Sequence, residues 1–310
     1  EVGANVIYQG RQMTVSKGVD SDGDLKMIDM TGVHAIAEAL KVTAVLKNIN
    51  LRGNSLGTEG WCAIFAALRD NKENKIESWD LSGQHINPEI VKVLAEYVSV
   101  SAVLKELNLR GNNLGPEGSK AIAKALEVNA VLTNLSVAHN NISGEAAQQL
   151  ATAALDSKSL TVFSDVPIKE LREEKHTELD LSGKGLGPTE GIVLAELVKV
   201  NAVLTNLNLA ANQLCGVDRR GGTYDATGIT ALAEALKVNA VLTNINLLKN
   251  SIGTEAATQL SEVLQQHKTL KTLCGITPDQ TEADFKDHGL QPGDGVLLAA
   301  DLKVNAVLTK

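Results

Sequence analysis

The sequence predicts an α/β solenoid that bends into a horseshoe, with parallel strands on the concave side and helices on the convex side. Three observations predict it. One phrase recurs with few changes, as ALKVTAVLKNINL at 39–51, ALEVNAVLTNLSV at 125–137, LVKVNAVLTNLNL at 197–209 and ALKVNAVLTNINL at 235–247. The second residue of each L-x-L pair falls at Leu51, Leu81, Leu109, Val137, Leu181, Leu209 and Leu247, with spacings of 30, 28, 28, 44, 28 and 38 residues. Each unit has one order: a short alternating stretch, an Asn turn, then a helix-like stretch. A unit of this kind cannot bury its own apolar face, so each copy is the interface for the next.

Residues 1–29 stand apart. Short β-like runs at Val6–Tyr8, Met13–Val15 and Leu25–Ile28 are separated by Gly and Asp-Gly turns, which predicts a small β cap over the first repeat. The repeat region covers 30–310. Within a unit, L-x-L alternation gives a strand with one buried face. The Asn that follows, as at Asn112 and Asn212, satisfies backbone groups that the turn leaves unpaired. Gln84 and Lys184 replace this Asn, so those turns are expected to be weaker. Pro116 and Glu117 suit a helix start, and Ala121, Ile122, Ala125 and Leu126 follow helical spacing. Strands stack about 4.8 Å apart and helices about 8–10 Å apart, so a single row of strands must curve.

Two passages interrupt the period. From Thr177 to Thr205 the sequence aligns without gaps to Thr281 through Thr309, so the chain is also built of larger cassettes. Seams are expected near 160–178 and 270–284, each with a helix-poor step. An insertion, CGVDRRGGTYD at 215–225, is expected to project as a loop. The chain opens on Glu1 and closes at Lys310 inside another copy, DLKVNAVLTK, so the array is expected to continue beyond 310. End-to-end contact at an uncapped C-terminal repeat is the alternative.

These repeats resemble the leucine-rich-repeat family, and specifically its ribonuclease-inhibitor-like subclass, with about 28 residues and a true helix per unit. That subclass includes ribonuclease inhibitor, sensing regions of NOD-like receptors, Ran GTPase-activating protein, tropomodulin tails and several ciliary subunits. The resemblance implies a fold and a habit of binding proteins. It does not imply which protein, because one repeat fold hosts unrelated functions.

The sequence therefore predicts a non-catalytic interaction scaffold, with a small-GTPase regulator or a structural subunit of a large assembly such as a cilium as alternatives. Strand alternation places Arg52, Asp80, Glu106, Arg110, Glu178 and Asp180 on the concave face as candidate partner contacts. Arg219, Arg220 and Tyr224 on the inserted loop are residue types common among binding hot spots. Asn and Ser dominate the rest of the face, which a merely wet strand surface would also show. The GTPase reading meets an obstacle in the letters. GNSLGTEG at 53–60 and KNSIGTEAATQL at 249–260 resemble the stretch that bears the catalytic Arg of Ran GTPase-activating protein, but the corresponding positions hold Cys62 and Thr258.

Other chemistry is thinly represented. DSDGD at 20–24 lacks the acidic first position of an EF-hand loop and reads as a β-turn. His176, Glu178 and Asp180 share a strand face, but neighbouring strands offer no closed ligand set. Neither a nucleophile elbow nor a phosphate-binding loop is found, and no cofactor is expected. The net charge of −8 argues against nucleic-acid and anionic-membrane partners, and no apolar run reaches the ~18 residues of a membrane helix. Three widely spaced cysteines, Cys62, Cys215 and Cys274, suggest a reducing compartment, intracellular and most simply cytoplasmic. With aromatics at 3% and hydrophobics at 44%, the core must be mainly aliphatic.

Overall fold

The computed structural model describes residues 5–8, 11–17, 26–54, 56–217, 221–277 and 279–309. Three antiparallel strands come first: β1 (Asn5–Tyr8), β2 (Arg11–Lys17) and β3 (Lys26–Asp29). The repeats follow. In the first array, helices α1 (Thr31–Val42), α2 (Gly57–Asp70), α3 (Pro88–Val100), α4 (Gly115–Val128) and α5 (Gly144–Asp156) accompany strands β4 (Ser78–Asp80), β5 (Glu106–Asn108), β6 (Asn134–Ser136) and β7 (Val162–Phe163). A five-residue helix, α6 (Ile168–Arg172), lies in the first seam. The second array holds β8 (Glu178–Asp180), α7 (Pro188–Val200), β9 (Asn206–Asn208), α8 (Thr227–Val238), β10 (Asn244–Asn246) and α9 (Thr254–Gln266). A third array begins after 276 and contains α10 (Pro292–Val304).

The strands form two parallel sheets, β4-β5-β6-β7 and β8-β9-β10, and not the single row expected from the period. Within the first sheet, Ser78, Glu106, Asn134 and Val162 are successive partners, each 28 residues on. The break after β7 has a local cause. Ser164 and Asp165 adopt left-handed backbone (φ 46° and 70°), and Phe163 and Val166 exchange backbone hydrogen bonds of 3.0 and 2.8 Å. This two-residue reversal turns the chain back, so no strand follows directly beside β7. The helical layer does not break, because α5 packs directly on α7. The first expected strand, near 48–50, is also absent as a regular strand; Lys47 O still accepts from Glu77 N at 3.2 Å.

Asparagine ladders run along both edges of the arrays. At the strand turns, Asn112 Nδ2 donates to Leu81 O of the preceding unit (2.8 Å) and to Leu109 O (2.9 Å), and its Oδ1 accepts from Ile86 N (2.9 Å). Asn140, Asn212 and Asn250 repeat the reach to the preceding strand end. Gln84 and Lys184 now have a physical reading. Each stands in the turn after the first strand of a sheet, β4 or β8, with no regular strand behind it; Gln84 reaches back only to the irregular segment before β4, where its Oε1 accepts from Gly53 N at 3.2 Å. His288 occupies the matching turn of the third array, 104 residues after Lys184.

The second ladder caps the helix ends. Asn239, 4% exposed, donates to Val198 O (2.7 Å) and Asn201 O (3.0 Å), and accepts from Val241 N (2.9 Å) and Leu242 N (2.8 Å). Asn71 and Asn129 make the same backward bonds. His267 stands in for Asn after α9: its Nδ1 accepts from Leu270 N (2.9 Å), and its Nε2 lies 2.7 Å from Asn239 O. At 129, 201 and 239 the Asn of the recurring phrase VNAVL is therefore a buried connector between units.

Between the layers the core is chiefly Leu, Ile, Val and Ala, as the composition requires. One local exception is an aromatic cluster of Trp61, Phe65, Trp79 and Tyr97, with ring centroids 5.6–6.5 Å apart between neighbours. Tyr97 Oη accepts from Asn74 Nδ2 at 2.9 Å. In the second array the helices approach unusually closely. A Cβ on Gly191 of α7 would lie 2.9 Å from Gly228 Cα of α8, which only a pair of glycines permits.

Candidate functional site

Strand alternation puts Trp79, Leu107, Leu135 and Phe163 into the core of the first sheet and leaves their neighbours on the open face. That face carries a cavity of about 620 Å³. Asp80 and Glu106 line it from the strands, Arg110 from the turn after β5, and Asp165 from the reversal after β7. Its far wall is Gly183 and Lys184 of the second array. Sequence reasoning missed Asp165 and Lys184, because both reach this face only through the sheet break.

The charged candidates have different roles. Arg52 Nη1 pairs with Asp80 Oδ2 at 2.6 Å, across one repeat. Burial acts to raise the Asp80 carboxyl, but hydrogen bonds from Ser82 and Arg52 outweigh it and hold the group below its ordinary range. Asn108 Nδ2 adds a bond to Asp80 Oδ1 at 3.0 Å. Glu106 is exposed beside this group. Arg110 is turned toward the seam: Nη1 donates to Lys184 O, and Nη2 donates to His139 Nε2 at 2.9 Å. It thereby joins the first array to the second.

Glu178 and Asp180 stand exposed on β8, in the other sheet. The backbone N–H of Ser182 holds the Asp180 carboxyl below its ordinary range. His176 does not join them; its Nε2 lies 2.7 Å from Glu170 Oε2. No cluster of three or more metal-ligating side chains occurs among the described residues. In the inserted loop, Tyr224 is 49% exposed and its hydroxyl accepts from Gly253 N at 3.1 Å, pinning the loop to the start of α9. Arg219, Arg220 and the DSDGD stretch at 20–24 lie outside the described residues. The candidate residues thus fall into three places: the first sheet, the second sheet and the loop.

A buried acid sits where the arrays join. Glu190 of α7 is 2% exposed, and its Oε2 accepts from Gly187 N at 2.8 Å. Its Oε1 has no hydrogen-bond partner, and burial pushes the carboxyl above its ordinary range. The third array repeats the position with Asp294, whose oxygens accept from Lys249 N and Gln291 N, both at 2.8 Å.

Residues 100–123 and 128–151 match a family described as leucine rich repeat. The fold is a leucine-rich-repeat solenoid. The two matched stretches run from the last residue of α3 through β5 into α4, and from the last residue of α4 through β6 into α5. Among solved structures, leiomodin-1 actin-binding site 2 is similar at 20% identity, over 42% of this chain and 76% of that one, with a TM-score of 0.38. The tropomodulin C-terminal domain of Caenorhabditis elegans is similar at 20% identity, over 43% of this chain and 81% of that one, with a TM-score of 0.39. No curated protein matches the chain. No helix among the described residues is long and apolar enough to cross a membrane.

Proposed function

We propose that this leucine-rich-repeat protein is a non-catalytic scaffold that binds a protein partner on the open face of its first sheet. The supporting observation is the 620 Å³ cavity there, whose lining includes side chains that the fold does not consume. Glu106 and Asn134 stand exposed on it, and neither contributes to the core. Their charge and polarity favour a partner surface with basic side chains. Glu178 and Asp180 extend the same acidic character along the second sheet. The strand spacing of 28 residues with a full helix per unit favours the ribonuclease-inhibitor-like subclass.

Three unpaired cysteines favour a reducing, intracellular setting. Burial pushes the Cys62 thiol up to about 11 and the Cys215 thiol up to about 12, so neither is poised as a nucleophile. The reading is tested by affinity capture from native extract with wild-type protein, a Glu106→Arg/Asn134→Arg variant and a Tyr224→Ala variant. Loss of the captured proteins only in the first variant supports the sheet face. Loss only in the second assigns binding to the loop. Equal capture by all three overturns both.

A further inference from the structure

The turns of all three arrays meet in a second cleft, on the side of the molecule where the strands end. Its volume is about 980 Å³, within the size range of small-molecule sites. The first array contributes His139, the second Lys249 and Ser251, and the third His288. We propose that this cleft binds a small, multiply charged oxyanion, borne by phosphate or carboxylate groups.

Charge carries the argument. The chain has 37 acidic and 29 basic residues, yet none of the residues lining the cleft is a carboxylate. Lys249 and His288 are exposed, and no carboxylate among the described residues forms an ion pair with either. The Lys249 backbone is held by Asp294, whose Oδ1 accepts from its N–H at 2.8 Å. Its stem therefore starts from a fixed point while the ammonium remains for a ligand. Behind His139 stands the Arg110 guanidinium, 2.9 Å from Nε2, which adds positive charge to the wall.

Nearby acids are committed elsewhere. Asp294 spends both oxygens on backbone N–H groups. Asp225 accepts from Gly144 N at 2.6 Å and from Thr227 N at 2.9 Å. Glu190 lies behind the wall, where burial favours its uncharged form. Asp287, next to His288 in the chain, does not line the cleft.

The backbone is also open to a ligand. Gly289 has a left-handed φ of 64°, and a Cβ there would meet nothing within 4 Å, whereas the Gly111 N–H is already given to Ala138 O at 2.9 Å. A compact oxyanion can therefore approach the main-chain amide at Gly289 as well as the lysine, a combination suited to phosphate and carboxylate groups. A ligand seated here would touch all three arrays and hold them together.

Isothermal titration of the whole chain with inorganic pyrophosphate, and separately with citrate, tests the proposal and distinguishes the two sources. Glycerol serves as the neutral control. At least one anion should bind, and the Lys249→Gln/His288→Gln variant should weaken it by at least about tenfold. Both replaced side chains are exposed, so the variant should melt as the wild type does without ligand. Lys105→Gln, on a surface lysine paired with Glu77, should bind like the wild type. Absence of binding by either anion, or equal affinity in wild type and double variant, overturns the proposal.

Discussion

Replacing Asn239 by Ala should remove a connector between units. Its side chain makes four hydrogen bonds of 2.7–3.0 Å: two to carbonyls of the preceding unit and two from the turn behind it. Alanine leaves the Asn201 carbonyl and the Leu242 N–H buried without those partners, while the Val198 carbonyl keeps the Asn201 N–H at 3.2 Å. An unsatisfied buried backbone group costs about 1–3 kcal/mol, so the expected loss is about 3–5 kcal/mol. Serine offers a graded test. At the matching position Ser101 Oγ accepts from Val103 N (3.4 Å) and Leu104 N (3.1 Å). Asn239→Ser should therefore keep the two acceptor bonds, lose the two donor bonds, and cost roughly half as much.

Urea unfolding followed by far-UV circular dichroism gives the loss. The fluorescence of Trp61 and Trp79, both in the first array, tells whether damage in the second array spreads. A loss for Ala below about 1 kcal/mol, or a Ser variant no better than Ala, would refute the ladder as a source of stability.

Two further outcomes follow from the packing. Glu190 titrates above its ordinary carboxyl value in the folded chain, so the folded state binds its proton more tightly than the unfolded one. Its contribution is fully present below the ordinary value near 4.5 and is lost as pH rises through the folded value. Glu190→Gln should therefore flatten the fall in stability above that pH and raise the neutral-pH melting temperature; a wild type whose stability rises over the same window contradicts this. Gly191→Ala would press a methyl group to 2.9 Å from Gly228 Cα and should cost about 1–3 kcal/mol by thermal denaturation, whereas an unchanged melting temperature would mean that α7 and α8 do not approach this closely.

Strand and helix order were legible because each unit repeats its own local pattern of L-x-L, turn and amphipathic helix. The 28-residue partners in the first sheet follow directly from that period. The sheet break was not legible. It depends on a two-residue reversal at Ser164 and Asp165, whose left-handed backbone no composition rule demands. A signal was nonetheless present in Gln84 and Lys184, read from sequence as weak turns. In the structure they follow the opening strand of a sheet, where an Asn would have no regular strand to reach.

The candidate site was less readable. The exposed positions of Asp80 and Glu106 follow from alternation. Arg110 looked equivalent to Arg52 in the letters, yet one guanidinium bonds to a chain segment 74 residues away and the other to the next strand. Only the folding of one array against another separates them. The 980 Å³ cleft likewise gathers residues from turns more than 100 positions apart, so no local motif announces it.

The sheet-opening turns have a consequence for how such a chain can lengthen. A unit taken from the middle of a sheet carries an amide that must find a carbonyl behind it, so copying that unit alone into a new place would strand a buried donor. At the strand turn a block that starts at Lys184 or His288 makes no such demand, although Asn201, at the helix end of the Lys184 block, still donates back to Leu171 O at 2.8 Å. Duplication in whole blocks from one sheet opening to the next is therefore the genetic event with the smallest structural penalty. The ungapped correspondence of Thr177–Thr205 with Thr281–Thr309 is the trace such an event would leave.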